Sequence, residues 1–327
     1  MRNAFILFVF ALFVGTVSAQ EATVSKTDYK REKADQFLFE YSYQKAIPLY
    51  MGLYEDGDKS VSSQIALCFY KIGELDSAAN FYQVAAAQDS LKADDVYNYY
   101  SVLLKKGKKS EAEKWLKVFH QLNPSDSRAQ RYFDKAEIED LSKPIYEDVV
   151  LTNMAINSEQ ADFGAVEFNG NVVFTSNRER IKPIVREYNW DGNPFLSLYQ
   201  SSTANDSEGG VEFFDKSSSF KFHQGPIAFT ADGKGAWVTR NYPNKKKSKS
   251  NDGTLPLQLF YAEIEKEKLV NTIDFPHNSN QYSVGQPAVS ATGDTLFFAS
   301  DMPGGFGGAD IYFSVRDTNG NWSDPIN

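Results

Sequence analysis

Cysteine and histidine are scarce in this chain of 327 residues, and their scarcity excludes several kinds of site. Cys68 is the only cysteine, so no disulfide can form within the chain. It lies in a helical pattern with one basic neighbour, Lys71, which favours a small buried hydrophobe over a reactive thiol. His120, His223 and His277 are separated by 50 residues or more, without H-x3-H or H-E-x2-H spacing. We therefore expect no metal site and no cofactor.

Positive charge is in the minority, because 34 lysines and arginines face 43 aspartates and glutamates, giving a net charge of −9. An acidic chain lacks the basic footprint of a nucleic-acid-binding protein, so we do not expect nucleic acid as a partner. A run of four lysines interrupts this pattern and predicts either a solvated loop tip or a contact with an anionic surface or acidic partner: Lys245, Lys246, Lys247 and Lys249.

Long apolar runs are also missing, apart from the ten residues from Phe5 to Val14. That run is shorter than the roughly 20 residues that span a bilayer. Arg2 precedes it, and small residues follow it up to Ala19, which is the pattern of a secretory signal peptide. We therefore interpret residues 1–19 as a signal peptide for export that is cleaved before Gln20. We interpret residues 20–27 as a linker.

The sequence then repeats a small residue and, four positions later, a bulky one. The small residues lie 32 and 34 positions apart, at Ala46, Ala78 and Ala112. The bulky residues are Tyr50, Tyr82 and Leu116. Glycine precedes the second and third alanine by five positions and predicts a turn there. In the first repeat we expect Gln44-Lys45 to take the place of this glycine turn. Since a single repeat cannot bury its own apolar face, the pattern predicts three stacked helix pairs over residues 28–126 and a cap helix over 127–141.

This pattern resembles the tetratricopeptide repeat, and the resemblance assigns residues 28–141 to a helical solenoid. In that family the first helix of each pair lines a concave groove, which implies a docking site for a partner peptide or subunit. The alternative is a spacer whose aromatic side chains only pack between helices. The matching groove positions are Asp35, Leu38, Ser63, Leu67, Tyr70, Tyr97, Ser101 and Leu104.

From residue 145 to residue 327 the sequence pattern changes to short runs of β-branched and aromatic residues separated by predicted turns. Three units begin at Gly164, Gly225 and Gly285, which are 61 and 60 residues apart. Asn169-Gly170 and Asp232-Gly233 predict tight hairpins because both turn residues tolerate a positive φ. Each unit is expected to end in an outgoing strand that finishes at a tyrosine, namely Tyr199, Tyr261 and Tyr312. Four-stranded sheets are therefore predicted, with insertions near residues 181–194 and 241–256.

Two segments resemble the TolB-like, WD40-like β-propeller: residues 300–312, with their Gly-rich centre, and residues 156–164 together with Ser176-Asn177-Arg178. With the helical repeats and signal peptide, they resemble a family of exported Bacteroidota proteins of the OmpA-family type. That family includes accessory subunits of type IX secretion and gliding. The resemblance implies a multidomain α + β fold, an α-solenoid followed by propeller blades, with a periplasmic, outer-membrane-associated location.

The resemblance also implies that the partners are other envelope proteins, such as outer-membrane subunits of a secretion or motility complex. The chain departs from the family in two ways. It carries three units where closed propellers have four to eight, and it contains no OmpA-like motif. We therefore expect the propeller to be incomplete, with further sequence beyond Asn327. Peptidoglycan is an expected partner only if such a C-terminal domain exists.

Signals of catalysis are weak. The Gly-rich residues 303–308 lack the Lys-[Ser/Thr] of a phosphate-binding loop, and no G-x-S-x-G elbow occurs. Asp301 and Asp310 flank that stretch and are weak calcium candidates, with turn capping as the alternative. We predict a non-enzymatic scaffold or anchoring subunit. The alternatives are a propeller that binds a glycan or peptidoglycan fragment, and an envelope hydrolase that uses carboxylates in the propeller funnel.

Overall fold

The computed structural model describes residues 26–133, 150, 152–178, 187–202, 210–215, 222–241 and 254–327. The predicted signal peptide, most of the linker and the predicted boundary between the two halves lie outside these residues. Within the described residues, no helix combines the length and the apolarity needed to cross a membrane.

The N-terminal half consists of helices that pack in consecutive pairs, α1 on α2, α3 on α4 and α5 on α6, with further contacts from α2 to α3 and from α4 to α5. A short 3-10 turn lies between α2 and α3. The helices are α1 Lys26–Phe39, α2 Tyr43–Glu55, α3 Ser62–Lys71, α4 Leu75–Ala87, α5 Ala93–Lys105, α6 Lys109–Leu122 and α7 Ser127–Phe133.

The repeated alanines are buried where the helices meet. Ala46, Ala78 and Ala112 are each 0% exposed. The bulky residues one turn later are buried as well, since Tyr50 and Tyr82 are 0% exposed. A methyl group lets two helix backbones approach closely, and the following large side chain fills the space beside the contact. The predicted burial of this small-and-bulky pattern is confirmed.

The turns inside the helix pairs use a left-handed residue at equivalent positions. Gly73 has φ 90° and Gly107 has φ 74°, which glycine adopts without steric cost. The first pair places Tyr41 there, with φ 55°. The interpretation of Gln44-Lys45 as the substitute turn is wrong, because both residues lie in the first turn of α2. The turn falls at Tyr41, five residues before Ala46, as it does in the other two pairs.

The C-terminal half contains three antiparallel sheets with the orders β1-β2-β3-β4, β5-β6-β7-β8 and β11-β10-β9. The strands are β1 Asp162–Phe168, β2 Asn171–Ser176, β3 Ser197–Ser202, β4 Glu212–Phe213, β5 Gln224–Phe229, β6 Gly235–Asn241, β7 Leu257–Glu265, β8 Lys268–Asp274, β9 Val284–Val289, β10 Thr295–Ser300 and β11 Asp310–Val315.

The hairpin turns follow the sequence signals in part. Asn169 and Gly170 both have positive φ, 51° and 77°, as a two-residue hairpin requires. In the second sheet only Gly233 does, with φ 67°. Asp232 instead accepts a hydrogen bond from the backbone N–H of Lys234 at 3.1 Å, so the connection is a wider side-chain-capped turn.

Two strand predictions are corrected. The third sheet has three strands among the described residues, supplemented by single bridges from Phe313 to Ile326 and from Arg316 to Trp322. The predicted strand-ending tyrosines lie inside β3, β7 and β11, because ladder pairing continues past them.

The sheets pack in series, with β5 on the first sheet and β9 on the second. One buried apolar cluster joins the first sheet to the second through residues such as Val173, Leu198 and Ile227. Another joins the second to the third through Trp237, Leu259 and others. The main strand contacts link the first sheet to the second and the second to the third, so the described sheets form an open series.

Enlarging a crossing alanine is expected to destabilise the helices. Ala78→Leu adds three carbons to a site with no free space and should lower the free energy of unfolding by about 1–3 kcal/mol. Ala87→Leu, at the exposed end of the same helix, is the matched control and should leave it nearly unchanged. Urea unfolding followed by circular dichroism measures both. Equal effects of the two substitutions would show that Ala78 is not a packing position.

Candidate functional site at the junction of helices and sheets

Tyr41 combines an unfavourable backbone conformation with an exposed aromatic ring. A left-handed conformation costs a non-glycine residue about 1–2 kcal/mol. Its ring is 42% exposed and therefore adds little to the helix core. Such an outlier persists only where surrounding contacts hold it, which directs attention to what Tyr41 touches.

The residue that Tyr41 touches comes from an insertion between β2 and β3, residues 187–194, which we term the Trp190 loop. The backbone N–H of Tyr188 donates to the Asn193 carbonyl at 2.7 Å. The N–H of Gly192 donates to the Tyr188 carbonyl at 2.8 Å. These bonds close a tight loop that presents Trp190 at its tip.

Trp190 lies among the helices. Its Nε1–H donates to the carbonyl of Lys71 at 2.9 Å, which pairs one of the carbonyls left open at the end of α3. Its ring is nearly parallel to those of Tyr41 and Tyr188, with centroids 6.1 and 6.4 Å away. Tyr43 meets it edge-on at 4.9 Å. One side chain thus ties the sheets to the turn of the first helix pair and the end of α3.

A second contact supports the same junction. The Nε2–H of Gln44 donates to the Asp191 carbonyl at 2.9 Å. Gly192 has φ 78°, and a Cβ atom there would lie 3.3 Å from Cγ of Gln44. Glycine is therefore favoured at Gly192 by its backbone conformation, and the Gln44 side chain leaves little room for a Cβ atom there.

His223 lies just before β5 and next to the Trp190 loop. Its Nδ1 accepts a hydrogen bond from the backbone N–H of Leu196 at 3.2 Å, which places the ring proton on Nε2. Tyr188 and Phe195 contact the ring edge-on, at 4.5 and 4.8 Å between centroids. Burial lowers the pKa of His223 to about 4, against the opposing effect of Asp191. The imidazole is therefore neutral at pH 7.

Between these residues lies a cavity of about 440 Å³, which we term the junction cavity. Its volume falls within the range of about 300–1,000 Å³ that small-molecule pockets occupy. Both halves of the chain contribute to its walls, which consist of Glu40, Tyr41, Ser42, Tyr188, Asn189, Trp190, Phe195, Phe222, His223, Asn241, Thr254 and Leu255.

Sequence reasoning did not single out the junction cavity, because it treated the insertion as excess loop. The available signal was the absence of glycine at position 41 in a repeat that otherwise places glycine there. His223, whose spacing from the other histidines predicts no metal site, packs and hydrogen-bonds within this site.

The predicted groove positions divide into two groups, of which the first makes internal contacts. The Tyr50 hydroxyl donates to Asp35. The Ser101 hydroxyl donates to the Tyr97 carbonyl within α5 at 2.9 Å. The Tyr97 ring has the Arg128 guanidinium 4.5 Å from its centroid, which directs it towards α7.

The second group lies nearer to solvent. Two ammonium groups lie over the Tyr70 ring, Lys71 at 5.8 Å and Lys105 at 5.0 Å from its centroid. The remaining groove residues are half-buried or exposed, namely Leu38, Ser63, Leu67 and Leu104. None of these contacts tests partner binding, so the groove stays a prediction. The basic run, Lys245 to Lys247 and Lys249, lies outside the described residues.

The two calcium candidates accept hydrogen bonds from backbone amides. An Asp301 oxygen accepts the N–H of Ser283 at 2.6 Å, and Asp310 accepts the N–H of Gly307 at 2.9 Å. The Asp310 contact corresponds to the turn-capping alternative, whereas Asp301 links the end of β10 to the residue before β9. Among the described residues, no three His, Cys, Asp or Glu side chains group as metal ligands would.

The second propeller-like segment forms a partly buried ion pair. Arg178 Nη2, just after β2, lies 2.7 Å from an oxygen of Asp162 in β1, so the pair lies within the first sheet. Burial would raise the pKa of Asp162, but hydrogen bonds from Ser176, Arg178 and Ser158 outweigh it and lower that pKa to about 2. The segment therefore has a structural role. Cys68 is buried, and burial raises the pKa of its thiol to about 12, which excludes an activated nucleophile at pH 7.

Comparison with known proteins yields remote similarities. No protein-family model and no curated protein matches the chain. Among solved structures, TolB from Acinetobacter baumannii matches over 47% of this chain and 29% of its own, with 13% identity and a TM-score of 0.29. A puromycin hydrolase matches over 50% and 22%, with 12% identity and a TM-score of 0.32. A Mycobacterium tuberculosis puromycin-hydrolyzing peptidase matches over 51% and 23%, with 14% identity and the same TM-score.

The chain therefore spans less than a third of the length of these structures. At TM-scores near 0.3, none of them supports an argument about this chain's activity.

The neutral His223 is expected to make stability depend on pH. Its folded pKa of about 4 lies below the unfolded value of 6.5, so the unfolded chain binds the proton more tightly. The free energy of unfolding should therefore be highest above pH 6.5. It should fall by up to about 3 kcal/mol as the pH drops towards 4. Urea unfolding between pH 7 and pH 4.5 measures this loss.

The control is a comparison of two histidine substitutions. His223→Gln should flatten the pH dependence, whereas His277→Gln leaves His223 in place and should keep the wild-type slope. A wild-type slope in His223→Gln would show that His223 is not the group responsible.

Proposed function

We propose that this chain is an exported, non-enzymatic scaffold or anchoring subunit of the cell envelope. In this proposal the helix pairs are tetratricopeptide repeats and the three sheets are blades of a TolB-like propeller. The partners are other envelope proteins, such as outer-membrane subunits of a type IX secretion or gliding complex, and the location is the periplasm beside the outer membrane. The sequence resemblance supports the choice of complex, and the structure of the third sheet supports the interaction role.

The supporting observation is a face of the third sheet that repeats a buried interface without being covered. The three sheets can be aligned through the pairing of their second and third strands. In this alignment Leu198, Leu259 and Ile311 occupy equivalent positions on the third strands. Leu198 is 2% exposed and Leu259 is 0% exposed, because each packs against the next sheet. Ile311 is 74% exposed.

The second strands show the same contrast. Val173 and Trp237 are equivalent, and they are 0% and 5% exposed in the contacts between sheets. Their counterpart Phe297 is 42% exposed, and its ring lies 5.9 Å from that of Phe313. Covering a large apolar side chain stabilises a complex by about 1.5–3 kcal/mol per residue, before the cost of association.

The third sheet therefore presents an apolar face with the geometry of an interface between sheets. We propose that it receives the apolar face of a further β-sheet, which a partner supplies where the chain does not itself continue into a fourth sheet. The junction at Trp190 would fix the helices relative to this face, so that both surfaces of the scaffold act together.

A charge placed on this face should release the partner. Ile311→Asp would bury an unpaired carboxylate in the contact and should abolish co-purification of partners from envelope membranes. Ile273→Asp is the matched control, since Ile273 is 62% exposed on β8 of the second sheet, and it should retain them. Mass spectrometry of the purified material identifies the partners, and circular dichroism verifies folding.

Two outcomes would contradict the scaffold proposal. One is recovery of the wild-type protein alone and fully soluble. The other is equal partner recovery with Ile311→Asp and with wild type.

A further inference from the structure

The junction cavity has walls of aromatic rings arranged around neutral polar groups. Tyr188, Phe195 and His223 form one contiguous wall, in which Phe195 lies 5.5 Å from Tyr188 and 4.8 Å from His223. Phe222 continues this wall, edge-on to Phe195 at 5.5 Å. Tyr41 contributes from the helical side. Aromatic faces attract the weakly positive C–H groups of a saturated ring, so the wall suits a ligand with an apolar face.

Charge is nearly absent from the cavity. Among the described residues that line it there is no lysine or arginine, and the one carboxylate, Glu40, is exposed. An anionic ligand would therefore meet no counter-charge from these described residues, and burying it against them would be costly. A cationic ligand would meet the aromatic faces, but it would also face the N–H of a neutral imidazole, which is a hydrogen-bond donor.

Several polar groups of the described lining remain available to a ligand, among them His223 and Asn189. His223 uses Nδ1 internally, and its Nε2–H makes no hydrogen bond within the described part of the chain. The same holds for the side-chain amide of Asn189, which offers both a donor and an acceptor. Hydroxyl groups donate and accept, so they match this neutral set better than a charged group does.

We propose that the junction cavity binds an uncharged pyranose ring of a glycan, with the C–H face of the sugar on the aromatic wall and its hydroxyls on His223 and Asn189. This site would give the protein a second binding activity, separate from the exposed face of the third sheet. Because both halves of the chain line the cavity, a bound sugar would also stabilise their junction. The proposal does not depend on the scaffold role.

Ligand-observed saturation-transfer NMR on the full chain tests this proposal, with chitotriose and maltotriose as neutral probes and choline as the cationic comparison. We expect saturable transfer to at least one of the two sugars at concentrations up to about 10 mM. Phe222→Ala and Asn189→Ala should each weaken that binding about tenfold, because the first removes stacking area and the second a hydrogen bond. Phe306→Ala, at a phenylalanine 94% exposed on the third sheet's loop, is the control and should bind as wild type.

Three results would overturn the proposal. The first is no transfer to either sugar. The second is sugar binding that neither Phe222→Ala nor Asn189→Ala weakens, with both variants folded by circular dichroism. The third is transfer to choline alone, which would identify the cavity as a cation cage. Asn189→Ala keeps the test valid if Phe222→Ala fails to fold, because the Asn189 amide makes no hydrogen bond that the fold requires.

Discussion

Insertion of Trp190 between Tyr41 and Tyr188 is the interaction on which the arrangement of the two halves depends. Its indole N–H pairs the Lys71 carbonyl at 2.9 Å, and its ring is packed against the helix core. The unfavourable backbone of Tyr41 has a physical explanation in this contact: a glycine would fit the turn better, but it would carry no ring for Trp190 to stack on. Local strain in the first helix pair is thus offset by a long-range contact.

The local features of the fold could be predicted from sequence because they depend on neighbours along the chain. Ala46, Ala78 and Ala112 reveal the helix crossings, since only a small side chain fits there. Asn169-Gly170 reveals a hairpin, since few residues tolerate the required φ. The predicted number of strands in the third sheet was wrong, because the pairing of the last segment depends on bridges that no local sequence signal encodes.

The junction cavity could not be predicted in the same way. Tyr41 and Trp190 are 149 positions apart, and neither shows any periodicity that links it to the other. The aromatic surroundings of His223 come from the loops before β3 and β5, which only the fold brings together. The contrast between the buried Leu259 and the exposed Ile311 likewise becomes visible only when the strands of the three sheets are aligned in space.

The central claim is that the Trp190 junction holds helices and sheets as one rigid unit. Double electron–electron resonance tests it most directly, by measuring the distance between two spin labels. Exposed positions such as Gln83 in α4 and Lys268 in β8 can carry the labels as introduced cysteines, since the native Cys68 is buried. The account predicts a single narrow distance distribution that broadens in Trp190→Ala. A broad distribution in the wild-type background would contradict it.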